Sequence, residues 1–194
     1  MYIEPKFEEF PKITRFYEQD VCITEKIDGT NGLIWIGDNP NFDQDFDPQT
    51  ESMMKVGSRS RWITPEDDNY GFARWCKENQ EELMKLGPGY HYGEWWGNGI
   101  QRKYAMAKKV FSLFNVYKWS DDAIRPTCCD VVPTLYNGPV TPQIINDFSG
   151  PKPLMISAAA LKYGIEFDNP EGYMMYFTKA GKYFKCPLDK GAKG

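Results

Sequence analysis

The residues of this 194-residue chain that could do chemistry are mostly lysines and carboxylates. In the run Glu25-Lys26-Ile27-Asp28-Gly29-Thr30-Asn31, a lysine closes an apolar stretch and a glycine turn follows. Lysine is usually a solvated surface charge, and at a hairpin Lys26 could be no more than that. The same amine becomes a nucleophile once it sheds its proton. The rest of the composition narrows the choice. One histidine, His91, rules out a cluster of His metal ligands, and its place among aromatics in an alternating segment reads as structural. Five cysteines (Cys22, Cys76, Cys128, Cys129 and Cys186) are an odd number without a CxxC pair, which argues against a disulfide framework or a thiolate zinc site.

Other motifs fall short of their chemistry. Asp43, Asp45 and Asp47 have the first three spacings of a calcium loop, but Pro48 stands where a glycine is required and Glu51 comes too early. Gly87-Pro88-Gly89 and Gly97-Asn98-Gly99 do not complete GxGxxG, and no GxxxxGK[ST] occurs. The net charge of −4 argues against indiscriminate nucleic-acid binding, yet it hides two basic segments. From Trp95 to Ser120 there is no acidic residue beside Arg102, Lys103, Lys108, Lys109 and Lys118, and Lys179, Lys182, Lys185, Lys190 and Lys193 crowd the last stretch.

The elements that must position these residues follow from periodicity. Val21, Ile23 and Ile27 alternate with Cys22, Thr24, Lys26 and Asp28, predicting a strand over 20–29 that ends in the Gly29 turn, with a returning strand over 32–37. Pro65 and Glu66-Asp67-Asp68 predict the start of a helix that Gly87-Pro88 ends, with Phe72, Trp75, Cys76, Asn79, Leu83 and Leu86 as its apolar stripe. Strands are expected over 90–96 and 109–119. Six prolines make 125–153 mostly loop, apart from a short helix over 142–148. A helix over 157–163 and strands over 172–178 and 182–186 complete an antiparallel-rich α+β fold, read as one unit over 1–194. Neither a membrane-length apolar run nor a secretory h-region is present, so the expected location is cytoplasmic, of a host cell if the protein is a phage's.

The run from Glu25 to Asn31 resembles motif I, KxDGxN, of the covalent nucleotidyltransferases, which comprise ATP-dependent ligases and mRNA capping enzymes. Further motifs follow in order. Ser58-Arg59-Ser60-Arg61 is similar to motif Ia, and Tyr92-Gly93-Glu94-Trp95-Trp96-Gly97-Asn98-Gly99-Ile100-Gln101 to motif III with the GxGIQ tail of RNA ligases. Val110 to Val116 is similar to motif IIIa, Pro170 to Met175 to motif IV, and Phe184-Lys185-Cys186 to motif V. Together they resemble the bacteriophage-type RNA ligase 2 family over residues 25 to 186, almost the whole chain.

The resemblance implies a nucleotidyltransferase (ATP-grasp-like) domain, ATP with Mg²⁺ or Mn²⁺ as cofactors, and RNA ends at a nick as partners. Lys26 would take AMP from ATP, the AMP would pass to an RNA 5′-phosphate, and a 3′-hydroxyl would displace it. Lys185 would stabilise charge on the α-phosphate. Glu171 would hold the metal directly or through water, while Glu94 and Arg59 contact the ribose and Asn31 orders the metal or a strand end. Phe114 and Met174 would sandwich adenine, whose edge Glu25 would read, if only through its backbone. RNA phosphates would meet Arg102, Lys103, Lys108 and Lys109, a stretch that reads equally as a solvated basic loop.

Three departures from the family pattern stand out. Asp28 replaces a frequent His, and Asn115 replaces the usual Asp of motif IIIa. Motif V lacks its second lysine, since Cys186 and Pro187 follow Lys185; Lys182 or Lys190 would then supply the missing charge. The chain stops shortly after motif V, so the expectation is a minimal ligase without a C-terminal accessory domain, or one that needs a helper to bind its nick. A DNA ligase or a GTP-using capping-type guanylyltransferase is the alternative within the superfamily. A nucleotide- or RNA-end-binding protein with weak turnover is the alternative outside it.

Overall fold

A computed structural model describes residues 6–13, 15–37, 54–149 and 156–188. The rejected calcium loop and Lys190 lie outside the described residues. Two sheets carry the structure. The chain enters the first as β1 (Asp20–Lys26), turns, and starts the second with β2 (Thr30–Ile36), β3 (Met54–Gly57) and β4 (Trp62–Ile63). After two short helices, α1 (Phe72–Glu78) and α2 (Gln80–Leu83), the second sheet continues with β5 (Gly89–Gly97), β6 (Lys109–Leu113) and β7 (Asp130–Val131). Helix α3 (Val116–Trp119) intervenes before β7. The first sheet is then completed by β8 (Thr134–Pro139), β9 (Gly172–Phe177) and β10 (Lys182–Pro187), with α4 (Pro142–Ser149) and α5 (Ala158–Leu161) before β9. The strand orders are β10-β9-β1-β8 and β4-β3-β2-β5-β6-β7, every pairing being antiparallel except β6 with β7. This is the expected antiparallel-rich α+β architecture.

The short strands β3, β4 and β7 are not expected from the sequence, and three further elements differ from the expectation. The helix expected from Pro65 begins at Phe72, because Asp68 first turns the chain: its carboxylate accepts the backbone N–H groups of Asn69, Ala73 and Arg74. The strand expected to reach Trp119 ends at Leu113. There Asn115 caps α3, its side chain accepting from Lys118 N at 3.2 Å, and a cap outcompetes a strand continuation. The proline-rich middle contains β8, which pairs with β1 at the edge of the first sheet.

Apolar residues gather in two clusters. The larger, with Ile34, Phe72, Trp95, Trp96, Phe111 and Leu113, lies between the second sheet and its helices, and the glycines of β2 and β5 make room for its rings. A Cβ on Gly32 would meet the Phe72 ring at 2.6 Å. The smaller packs Val21, Ile23, Tyr173, Met175 and Phe177 against Ile144, Ile145 and Phe148 of α4. The first sheet therefore buries one face under α4 and leaves the other, bearing Cys22, Thr24 and Lys26, toward a cleft. Ile27, past the end of β1, joins the larger cluster rather than the face of Val21 and Ile23. Among the described residues no helix is long and apolar enough to cross a membrane.

Candidate active site

Lys26 is the last residue of β1, and its register partner on β9 is Gly172. Glu171, one residue earlier, is thereby brought beside it, and the two side chains form an ion pair in which each is about a quarter exposed, 24% and 22%. Gly172 is required there: its φ is +153°, and a Cβ would meet the Cys186 carbonyl oxygen at 2.2 Å. The Gly29 turn then reverses the chain so that Asn31 on β2 faces Glu94 on β5. The Glu94 carboxylate accepts the Gly29 N–H at 3.0 Å and the Asn31 amide at 3.2 Å. Burial pushes the Glu94 carboxyl up to about 8, with Glu171 and Asp28 adding negative field; the Gly29 N–H and Lys26 offset only part of this.

The cleft continues away from Lys26 in rows set by strand register. Thr24, Met174 and Lys185 are aligned across β1, β9 and β10, and Cys22, Tyr176 and Tyr183 form the next row. Across from these rows, Phe114 stands at the end of β6, 42% exposed, beside Tyr92, whose carbonyl accepts its backbone N–H. The cleft has a volume of about 940 Å³, within the range of small-molecule sites. Lys26, Asn31, Arg59, Glu94, Phe114, Met174 and Lys185 all line it, so residues far apart in sequence converge on one cleft. Sequence reasoning passed over Tyr92, Tyr117, Tyr176 and Tyr183, which line it too. The period of two along β9 and β10 could have found Tyr176 and Tyr183, each two residues from an expected site residue.

Other expected site residues sit elsewhere. Glu25 borders the cleft, but its carboxylate lies deep in the protein, accepting the Ser157 hydroxyl at 2.6 Å and the Ala159 N–H at 2.8 Å. Burial raises its carboxyl above the usual range, while these donors counteract the rise. An edge-reading role could therefore use only its backbone. Lys182 is a correction: strand alternation puts it with Phe184 and Cys186 on the opposite face of β10 from Tyr183 and Lys185, beside the smaller core. Arg102 is a second correction. Rather than facing solvent, it donates to Asp28 Oδ2 at 3.0 Å, to the Asn169 carbonyl and side chain at 2.9 and 3.0 Å, and to the Pro170 carbonyl at 3.1 Å. Lys109 donates to the Tyr70 carbonyl at 2.7 Å, and Lys108 lies over the Tyr163 ring at 4.9 Å. Lys103 is exposed.

Comparison with known proteins gives a family and a fold. The RNA ligase family model matches residues 19–179. No curated protein matches the sequence. Among solved structures, a mutant of Naegleria gruberi RNA ligase with ATP and Mn is similar with a TM-score of 0.55 and 18% identity, over 87% of this chain and 49% of that one. A second mutant of that ligase, apo, gives 0.58 and 17% over 88% and 50%, and the ligase with PPi gives 0.54 and 17% over 87% and 49%. At these identities the likeness is one of fold, and this chain spans about half the length of those relatives. Since the family match runs from the residue before β1 through β9, and so takes in Lys26, Glu171, all of the second sheet and every strand of the first except β10, the chain belongs to the RNA ligase family.

Proposed function

We propose that residues 1–194 act as one adenylyltransferase unit that joins RNA 3′-hydroxyl and 5′-phosphate ends with ATP through a covalent lysyl-AMP. The observation that carries this reading is the Lys26–Glu171 pair at the polar end of a cleft whose far walls are Phe114, Met174 and tyrosines. ATP would lie along it, with adenine between Phe114 and Met174 and the ribose toward Glu94 and Arg59. The Naegleria gruberi relative has been solved with ATP and Mn, which supports a nucleotide in this cleft.

Lys26 Nζ, its proton passed to water through the open side of the cleft, attacks the α-phosphorus. The N–P bond forms as the bond to the bridging oxygen breaks, pyrophosphate leaves, and the attacking nitrogen gives up a second proton to water. Lys185, on the cleft face of β10, meets the charge that builds on the α-phosphate. An oxygen of the RNA 5′-phosphate then attacks the same phosphorus, the N–P bond breaks, and Lys26 regains its two protons from water. Finally the 3′-hydroxyl oxygen attacks the 5′-phosphorus, its proton going to water, and AMP leaves. A divalent cation (Mg²⁺ or Mn²⁺), when bound, supplies further positive charge at the phosphates. The donor set fits such an ion held partly by substrate. No group of three or more His, Cys, Asp or Glu side chains gathers among the described residues, so Glu171, directly or through water, would share it with phosphate oxygens.

Gel-based sealing of defined substrates tests this reading. Nicked RNA should be joined with ATP, single-stranded RNA run in parallel reports whether a template strand is needed, and the Lys26→Ala variant should join neither. Sealing of DNA 3′-hydroxyl ends in preference to RNA, or labelling by GTP rather than ATP, would replace the RNA ligase assignment with a relative of the superfamily. ATP binding without any transfer would leave only an end-binding protein.

A further inference from the structure

Arg102 is expected from its charge to meet RNA, yet its guanidinium is directed inward to two segments that carry the site. One is the turn after β1, through Asp28, two residues from Lys26. The other is the stretch before β9, through Asn169 and Pro170, adjacent to Glu171. Among the described residues four acceptor atoms converge on one side chain, which is 15% exposed. A guanidinium fork can serve acceptors in two directions at once, whereas an ammonium is a point charge. Tyr104, two residues on, adds a second tie by accepting the Asp28 N–H at 2.8 Å. Its ring is fully buried, 4.6 Å from that of Phe167 and 5.1 Å from that of Trp96, so this anchor is fixed in the larger core.

The backbone around Arg102 is unusual as well. Gln101, Lys103, Tyr104 and Ala105 all have left-handed φ values of +42°, +61°, +49° and +54°, although none is glycine. Residues of this kind persist only where surrounding contacts over-determine them. Here the contacts are the Arg102 fork, the Tyr104 hydroxyl and the short turn bonds Lys103 N to Ile100 O and Tyr104 N to Arg102 O, at 2.8 and 2.7 Å.

We infer that Arg102 is a positioning residue: by clamping Asp28 to the Asn169–Pro170 stretch, it sets where the Lys26 amine and the Glu171 carboxylate stand relative to each other. The inference rests on the adenylyltransferase reading for its kinetic consequence, but not for its structural one. Without the fork, the end of β1 and the start of β9 still pair, but their cleft-side termini lose a common anchor. A displacement near 1 Å at a reacting group costs on the order of 10²-fold in rate.

The experiment uses Arg102→Ala and Arg102→Lys in the full chain. Hydrogen exchange of the ligand-free protein should show about tenfold faster exchange in peptides covering 27–30 and 169–172 of Arg102→Ala, while peptides of α4 keep wild-type protection. Single-turnover labelling with ATP should fall on the order of 10²-fold at saturating ATP, with KM for ATP within about twofold. Arg102→Lys should recover less than a tenth of the loss, because it lacks the fork. Unchanged exchange in both peptides overturns the clamp whatever the activity. Faster exchange with an unchanged labelling rate overturns the positioning role. If the wild-type protein does not label at all, the adenylyltransferase reading falls, and the exchange result alone then decides the clamp.

Discussion

Glu94 should make the stability of this protein fall as the pH rises through neutrality. An unfolded glutamate ionises near 4.5, whereas in the folded chain burial holds the Glu94 carboxyl at about 8. Between these values the folded chain keeps a proton that the unfolded chain has released. The contribution of this group is thus fully present below about 4.5 and is lost as the pH climbs through about 8. At ~1.4 kcal/mol per pH unit, the interval amounts to ~5 kcal/mol, a large share of an ordinary domain's stability. Glu94→Gln keeps the shape and removes the titration. Its oxygen can still accept the Gly29 N–H, and Asn31 can turn its amide to meet the new NH₂, so at pH 5 the variant should lie within ~1 kcal/mol of wild type. At pH 9 it should be the more stable of the two by several kcal/mol. Urea unfolding at pH 5, 7 and 9, followed by tryptophan fluorescence, measures the difference directly. A gap between the two proteins that stays constant from pH 5 to 9 would refute the reasoning.

Further predictions follow from the cleft walls and the buried carboxylate. Phe114→Ala should weaken ATP binding by roughly 5- to 150-fold, the ~1–3 kcal/mol of one aromatic–base stack, read by titration calorimetry. Lys185→Ala should slow adenylate transfer at least tenfold, the usual effect of removing one charge-stabilising group, while Lys182→Ala, on the other face of β10, should leave the single-turnover rate unchanged. Glu25→Ala leaves the Ser157 hydroxyl and the Ala159 N–H without their acceptor inside the protein, and should cost about 2–5 kcal/mol in denaturant unfolding.

Much of this was legible in the residues themselves. β1 alternates apolar and polar residues, glycines flank β2, β5, β9 and β10, and the Gly29 turn after Lys26 marks the end of a strand. What escaped notice did so for physical reasons. β8 contains Gly138 and ends on Pro139, poor strand residues that are tolerated because it lies at the edge of its sheet. α3 continues an alternation that reads as strand, and the switch depends on one capping side chain, Asn115. Lys182 and Lys185 carry the same charge, and only the pleat of β10 separates their faces. Arg102 reads as a basic-patch residue until its acceptors, more than sixty positions away, are known.

The most direct measurement is the site of adenylate attachment. The wild-type protein, incubated with ATP and Mg²⁺, is digested and its peptides are mapped by mass spectrometry. The account predicts one adenylate per chain, in an acid-stable phosphoramide on Lys26, and none after Lys26→Ala. Adenylate on another residue, on the Lys26→Ala protein, or on no residue at all would contradict it.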